Sequence, residues 1–140
     1  MTGIVLDASV AVKLVAREPD SALALVRVGE ASAVIAPDWI TLEVAHALWK
    51  KVQAAKLDVA AAEAGTVALG QIIDRMVPAQ QLLSAAMRLS YDLPHPLYDC
   101  LYLVLAQAED VRVLTADVKF ARVAQAGGLG DHVEYLGEAS

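Results

Sequence analysis

The sequence predicts an α/β fold, a central parallel sheet of about 4–5 short strands flanked by helices on both faces. Two observations carry this. Short apolar runs alternate with longer helical stretches along the chain, the order in which parallel strands and their crossover helices occur. Those runs also lack the in–out polar alternation of a half-wetted sheet, so each strand is expected to be buried on both faces. No internal repeat, low-complexity tract or Ser/Gly linker interrupts the 140 residues. Residues 1–140 therefore read as one domain, long enough to bury a core of its own.

Ile4-Val5-Leu6 is the first strand and ends abruptly at Asp7. Ser9 to Ala16 follows as a helix stopped by Glu18-Pro19. A second helix runs from about Pro19, a favoured first helical residue, to Val28, with Gly29 closing it. Ala33 to Ala36 is the next strand. Pro37-Asp38 opens a long helix to roughly Ala55 with Asp38 as its N-cap, and Asp58 caps another from Val59 to about Asp74. Arg75-Met76-Val77 reads as a short strand, and Pro78 or Ala79 to Tyr91 as a helix broken by Pro94-His95-Pro96. Pro96 starts an apolar helix to about Asp110, and Val111 to Leu114 form a strand. Asp117 to Gln125 is a helix ended by Gly127-Gly128, and His132 to Tyr135 a last short strand.

Composition narrows the class. Hydrophobic residues make up 57% of the chain, above the usual ~45–50%, and alanine supplies much of the excess. Such a chain has apolar surface to spare for a partner or for self-association. No uncharged apolar run approaches the ~18 residues of a membrane span, and Met1-Thr2-Gly3-Ile4 lacks the basic start of a signal peptide. A soluble cytoplasmic protein is expected. The single cysteine, Cys100, excludes an internal disulfide and a cysteine-built zinc cage. The net charge is −6, whereas a nucleic-acid binder normally shows a basic face. Any such role must be argued from where the charges sit.

Four carboxylates stand where carboxylates are uncommon. Asp7 and Asp117 each follow an apolar strand at or near the start of the next helix, in Ile4-Val5-Leu6-Asp7 and Val113-Leu114-Thr115-Ala116-Asp117. The crevice of a parallel sheet lies beyond such strand ends, although either acid alone also reads as an ordinary helix N-cap. Glu43 interrupts the apolar stripe of Ile40, Val44, Ala47, Leu48 and Val52. A carboxylate among core positions is costly unless paired or bound to a cation; the alternative is a boundary position. Asp99 is the one charged residue between Leu97 and Ala106, on a helix that is apolar on every face. Its alternative is a first-turn acid favoured by the helix dipole. Gathered together, such acids repel one another and titrate as a coupled set. A divalent cation resolves the conflict, and oxygen-only ligands select Mg²⁺ or Mn²⁺ over zinc. Ions held in this way suit phosphoryl chemistry, and the pocket accounts for part of the acidic balance.

Four blocks resemble the PIN-domain ribonucleases, and among them the VapC toxins of bacterial and archaeal toxin–antitoxin pairs. They are Val5-Leu6-Asp7-Ala8-Ser9-Val10-Ala11-Val12-Lys13, Leu42-Glu43-Val44-Ala45-His46-Ala47-Leu48-Trp49-Lys50-Lys51, Tyr98-Asp99-Cys100-Leu101-Tyr102-Leu103-Val104-Leu105-Ala106 and Leu114-Thr115-Ala116-Asp117-Val118-Lys119-Phe120. The resemblance spans Ile4 to about Tyr135. It implies a PIN-like fold with Asp7 and Asp117 on adjacent strands near the topological switch point, and Glu43 and Asp99 leaning in from flanking helices. It also implies a Mg²⁺- or Mn²⁺-dependent endoribonuclease that attacks RNA phosphodiesters in line with an activated water. Asp7, Glu43 and Asp99 would hold the metal, Asp117 would be a more peripheral fourth acid, and Ser9 and Thr115 would be hydroxyls orienting carboxylates or water. An RNA substrate, a cognate VapB-like antitoxin whose tail enters the site, and a homodimer are the partners implied. The chain departs from the family pattern at His46, where asparagine is frequent, and at Cys100, where a small residue is common; neither change removes a carboxylate.

Lys13, Arg17, Lys50, Lys51, Lys119 and Arg122 are candidates to steer phosphates, against the plainer reading of scattered solvated charges, since no dense basic run exists. Cys100 reads as a packing residue, His46 as a helix-surface histidine, and His95 and His132 as turn residues without visible chemistry. Trp39, Trp49, Tyr98 and Tyr102 read as core or interface. A haloacid-dehalogenase-type phosphatase also begins strand–Asp, but it needs an acid two residues on, where Ser9 stands. A receiver-type signalling domain needs neighbouring acids after its first strand and a late lysine, and neither is clear. The alternative from another class is a catalytically weak PIN-fold interaction module that acts by binding an antitoxin-like partner.

Overall fold

A computed structural model describes residues 2–137; Met1 and residues 138–140, the ends of the expected domain, lie outside them. The strands are β1 (Ile4–Leu6), β2 (Val34–Pro37), β3 (Arg75–Val77), β4 (Arg112–Thr115) and β5 (Val133–Tyr135). The helices are α1 (Ala8–Val15), α2 (Ser21–Gly29), α3 (Ile40–Gln53), α4 (Val59–Ile72), α5 (Ala79–Asp92), α6 (Leu97–Glu109) and α7 (Val118–Ala126), with a 3-10 turn at Gly130–His132.

Every pairing is parallel and the strand order is β3-β2-β1-β4-β5. The chain steps outward from β1 through β2 and β3, then returns to the other side of β1 for β4. At that reversal the connections leave two neighbouring strands in opposite directions and open a crevice beyond their carboxyl ends. Leu6 pairs with Leu114, and the Asp7 N–H continues the ladder onto the Leu114 carbonyl at 3.1 Å. The end of β1 and the loop after β4 are thereby neighbours.

Ile4, Val5 and Leu6 are buried in succession, as are all four residues of β2 and Val113 to Thr115 in β4. Successive strand residues face opposite sides of a sheet, so uninterrupted burial requires helices on both faces. The most enclosed of these is α6, in which every residue from Cys100 to Ala106 is buried. That is why its sequence is apolar all round.

Two boundaries differ instructively from the sequence reading. Pro19 does not open α2. Asp20 adopts a left-handed φ of 68°, and the helix starts at Ser21, whose hydroxyl accepts the Glu18 N–H at 2.9 Å. Asp38 does not cap α3. Its Oδ1 accepts the Ala79 N–H at 2.8 Å, so it caps α5 from across the structure, because β2 and β3 pair side by side and end together.

Candidate functional site

Asp7 occupies the N-cap position of α1, yet its side chain makes no capping bond. It is 4% exposed. Both of its hydrogen bonds fall on Oδ2, from the Ser9 hydroxyl two residues on and from the Thr115 hydroxyl at 2.8 Å. Ser9 and Thr115 lie 3.3 Å apart, and each also accepts a backbone N–H of the β4–α7 loop: Ala116 onto Ser9 at 2.9 Å and Asp117 onto Thr115 at 3.1 Å. The two hydroxyls thus lace β1, α1 and the β4–α7 loop around one carboxylate oxygen. The N-cap reading of Asp7 fails because its side chain is turned to these donors.

Asp117, in contrast, is a true cap: its Oδ1 accepts the N–H groups of Lys119 at 3.0 Å and Phe120 at 3.2 Å, and the residue is exposed. Glu43 stands on α3 beside the fully buried Ile40, Val44 and Leu48 and is half-buried itself. Its Oε1 accepts the phenol hydroxyl of Tyr102 at 2.6 Å. Asp99, in the first turn of α6, meets His95 Nε2 through Oδ2 at 2.6 Å.

Three of the acids are raised above the ordinary carboxylate range, and each is influenced by the charge of at least one other acid. Burial pushes Asp7 up to about 6, and the charges of Asp99 and Asp117 add to the shift. Burial likewise pushes Glu43 up to about 7, with Asp7 and Asp99 adding to it. Asp99 is raised by burial and by Asp117, against the opposing hold of His95. The Tyr102 hydroxyl is pushed up by burial and by Asp7, Glu43 and Asp99, so it stays a hydrogen-bond donor.

The residues present suit a hard divalent ion. The donors are all oxygens, and one oxygen of each acid takes no hydrogen bond from the described residues: Asp7 Oδ1, Glu43 Oε2, Asp99 Oδ1 and Asp117 Oδ2. Among the described residues no group of three or more acid, histidine or cysteine side chains stands close enough to share an ion. Mg²⁺ tolerates this, because it is commonly held by one or two carboxylates and keeps several waters.

A cleft of about 290 Å³ between α1 and α3 abuts Glu43 and is lined by Ala8, Ser9, Val12, His46, Ala47 and Lys50. A larger cavity of about 420 Å³ lies at the other end of the sheet, beside Ile4 and Arg112. Of the two arginines that line it, Arg27 is paired with Glu134 and Glu30, and Arg112 stands at the start of β4, the end of the strand away from Asp117, so this cavity has no part in the acidic site. Of the basic candidates, Lys13 and Lys51 are both turned to Glu18, at 3.6 and 2.7 Å, and share its one negative charge. Arg17, Lys50, Lys119 and Arg122 are exposed and make no ion pair among the described residues. Of all six, only Lys50 lines the cleft.

Two contacts were missed in the sequence. His95 does touch an acid, and the signal was its place four residues before Asp99, held between two prolines. Tyr102 is core, as expected, but its hydroxyl serves Glu43 across 59 positions, which no local pattern reveals. Trp49 and Tyr98 are more exposed than core residues, stacked on His46 and Trp39 respectively. Cys100 is buried and its thiol is pushed up to about 11, as a packing residue requires.

The family model described as PIN domain matches residues 4–126. Ribonuclease VapC1 from two strains of Mycobacterium tuberculosis is 34% identical over 130 residues, 92% of this chain and 94% of that protein. The crystal structure of PAE2754 from Pyrobaculum aerophilum shares the fold with a TM-score of 0.65 at 20% identity, over 87% of this chain and 79% of that one.

Proposed function

The chain belongs to the PIN-domain family, and from that premise we propose that it is a Mg²⁺- or Mn²⁺-dependent endoribonuclease, the toxin of a toxin–antitoxin pair. The observation that carries the proposal is the division of labour within each carboxylate. One oxygen of Asp7, Glu43, Asp99 and Asp117 is held by a protein donor, and the other is left for a ligand from outside. A divalent ion held by one or two of these carboxylates and by water would lower the pKa of a bound water, making a hydroxide nucleophile available near neutral pH, and would offset the charge on the leaving oxygen.

The protein's part is orientation. Ser9 and Thr115 hold Asp7, Tyr102 holds Glu43, and the exposed Asp117 stands at the rim as the peripheral acid. The RNA strand enters along the cleft between α1 and α3, where Lys50 meets a phosphate; Arg17, Lys119 and Arg122 steer from further out. Lys13 and Lys51 share the single charge of Glu18, so the trio keeps a net positive charge that adds to the steering.

The chain, 1–140, acts as one PIN-like unit in the cytoplasm. Its partners are a VapB-like antitoxin and a second copy of itself. Surplus apolar surface supports this: Trp49 and Val59, 54% and 61% exposed, flank an apolar groove between α3 and α4.

The test is cleavage of structured RNA by the purified protein with Mg²⁺, with Mn²⁺ and with chelator, beside Asp7→Asn. Metal-dependent cleavage that disappears in Asp7→Asn supports the nuclease. Tight antitoxin binding without metal-dependent cleavage on a broad RNA panel overturns it in favour of an interaction module.

A further inference from the structure

His95 is gripped from several sides. Pro94 and Pro96 bracket it in the chain. The proline ring after it confines its own backbone to extended conformations, and Pro96 itself has φ −54° and ψ 141°. The His95 side chain is 3% exposed, and its ring stacks on Phe120, centroids 5.4 Å apart and planes inclined by 30°. Phe120 is fully buried and lies in the first turn of α7, whose cap is Asp117. Nε2 lies 2.6 Å from Asp99 Oδ2, while Nδ1 is buried without a partner among the described residues. A carboxylate oxygen is an acceptor, so the ring form that makes this contact carries a proton on Nε2 and donates it to Asp99.

We propose that His95 is a positioning residue of the acidic site: its Nε2–H holds Asp99 Oδ2 so that Oδ1 alone is presented to the divalent ion. A carboxylate with both oxygens free turns about its own bond and offers either oxygen or both. One that is pinned through a buried, stacked ring offers a single oxygen in a single direction. The grip also ties two acids together, since Phe120 packs against the ring that holds Asp99 while its own N–H is held by Asp117. The inference rests on the reading that Asp99 helps to hold a metal.

The experiment is calorimetric titration of the metal-free protein with Mn²⁺, without RNA, with thermal unfolding measured alongside. His95→Phe keeps a ring on Phe120 and loses the donor; His95→Gln brings back an N–H donor of similar reach. His95→Phe is expected to fold and to bind Mn²⁺ about 10–100-fold more weakly, and His95→Gln to recover most of that loss. RNA cleavage should then fall in kcat at fixed Mn²⁺ with KM for RNA unchanged. Wild-type Mn²⁺ affinity in a folded His95→Phe overturns the inference and leaves the metal site standing. Equal weakness in both variants also overturns it, because packing and not the donor would be responsible. If His95→Phe does not fold, Phe120→Leu tests the same grip by loosening the ring: several-fold weaker Mn²⁺ binding supports it, and unchanged binding overturns it. Absence of Mn²⁺ binding by the wild-type protein overturns the metal reading itself, and this inference with it.

Discussion

The Thr115 hydroxyl donates to Asp7 Oδ2 at 2.8 Å across 108 positions of sequence, tying the end of β4 to the end of β1 where the strand order reverses. Thr115 is fully buried, and its oxygen also accepts the Asp117 N–H at 3.1 Å. One hydroxyl therefore positions two of the acids.

Thr115→Val keeps the shape and removes both bonds. It is expected to cost about 1–3 kcal/mol of stability, because the Asp117 N–H loses its acceptor. Mn²⁺ binding should weaken by about 10-fold, and Thr115→Ser should restore it. Denaturant unfolding and metal titration of the three proteins check this.

Asp7→Asn and Asp99→Asn should each reduce RNA cleavage by more than about 100-fold, since carboxylate-held metal contributes several kcal/mol to the transition state. Both should fold. Burial already disfavours the charged form of Asp7, so metal-free Asp7→Asn is expected to unfold at a temperature no lower than the parent at about pH 8. Near-normal cleavage in Mg²⁺ by either variant would refute its assignment to the site.

The pH dependence follows from the raised acids. Asp7 moves from 3.8 to about 6, and Glu43 from 4.5 to about 7. Between those limits the folded protein holds protons that the unfolded chain has released. This contribution to stability is complete below about pH 4 and is lost as the pH rises through 6 and then 7. Thermal unfolding in chelator should therefore occur at lower temperature as the pH is raised across that window. Saturating Mg²⁺ or Mn²⁺ should oppose the fall, since a cation favours the ionised carboxylates. A metal-free protein whose unfolding temperature climbs over the same window contradicts this account.

Tyr102→Phe removes the donor that holds Glu43 Oε1 and lowers its proton affinity. Glu43 should then be raised further, so Mn²⁺ binding should require a higher pH than in the parent, with a stability change of only about 0.5–1.5 kcal/mol. Metal titrations at several pH values read the displacement directly.

Asp38→Ala removes the remote cap of α5 and is expected to cost about 1 kcal/mol. RNA cleavage per folded molecule should be unchanged, because Asp38 touches none of the four acids.

The alternation of strands and helices was legible because each signal is local. Ile4-Val5-Leu6 and the run from Cys100 to Ala106 announce burial by their own composition, and the breaks at Pro94-His95-Pro96 and Gly127-Gly128 are properties of neighbouring residues. The candidate acids stood out for the same reason, as charges in apolar surroundings. Asp20 marks where such reasoning ends: a proline that suits a first helical turn was followed by a left-handed residue, and the helix began later.

Sequence alone determined which segments are strand or helix and which carboxylates break the apolar pattern, since periodicity and backbone stiffness act over a few residues. Tertiary structure decided what each polar group faces: Asp38 on α5, Tyr102 on Glu43, Thr115 on Asp7, His95 in the grip of Phe120, and Lys13 and Lys51 both on Glu18. Those partners meet only when the sheet orders its strands, because hydrogen bonds and charge pairs act over a few ångströms of space whatever their separation along the chain.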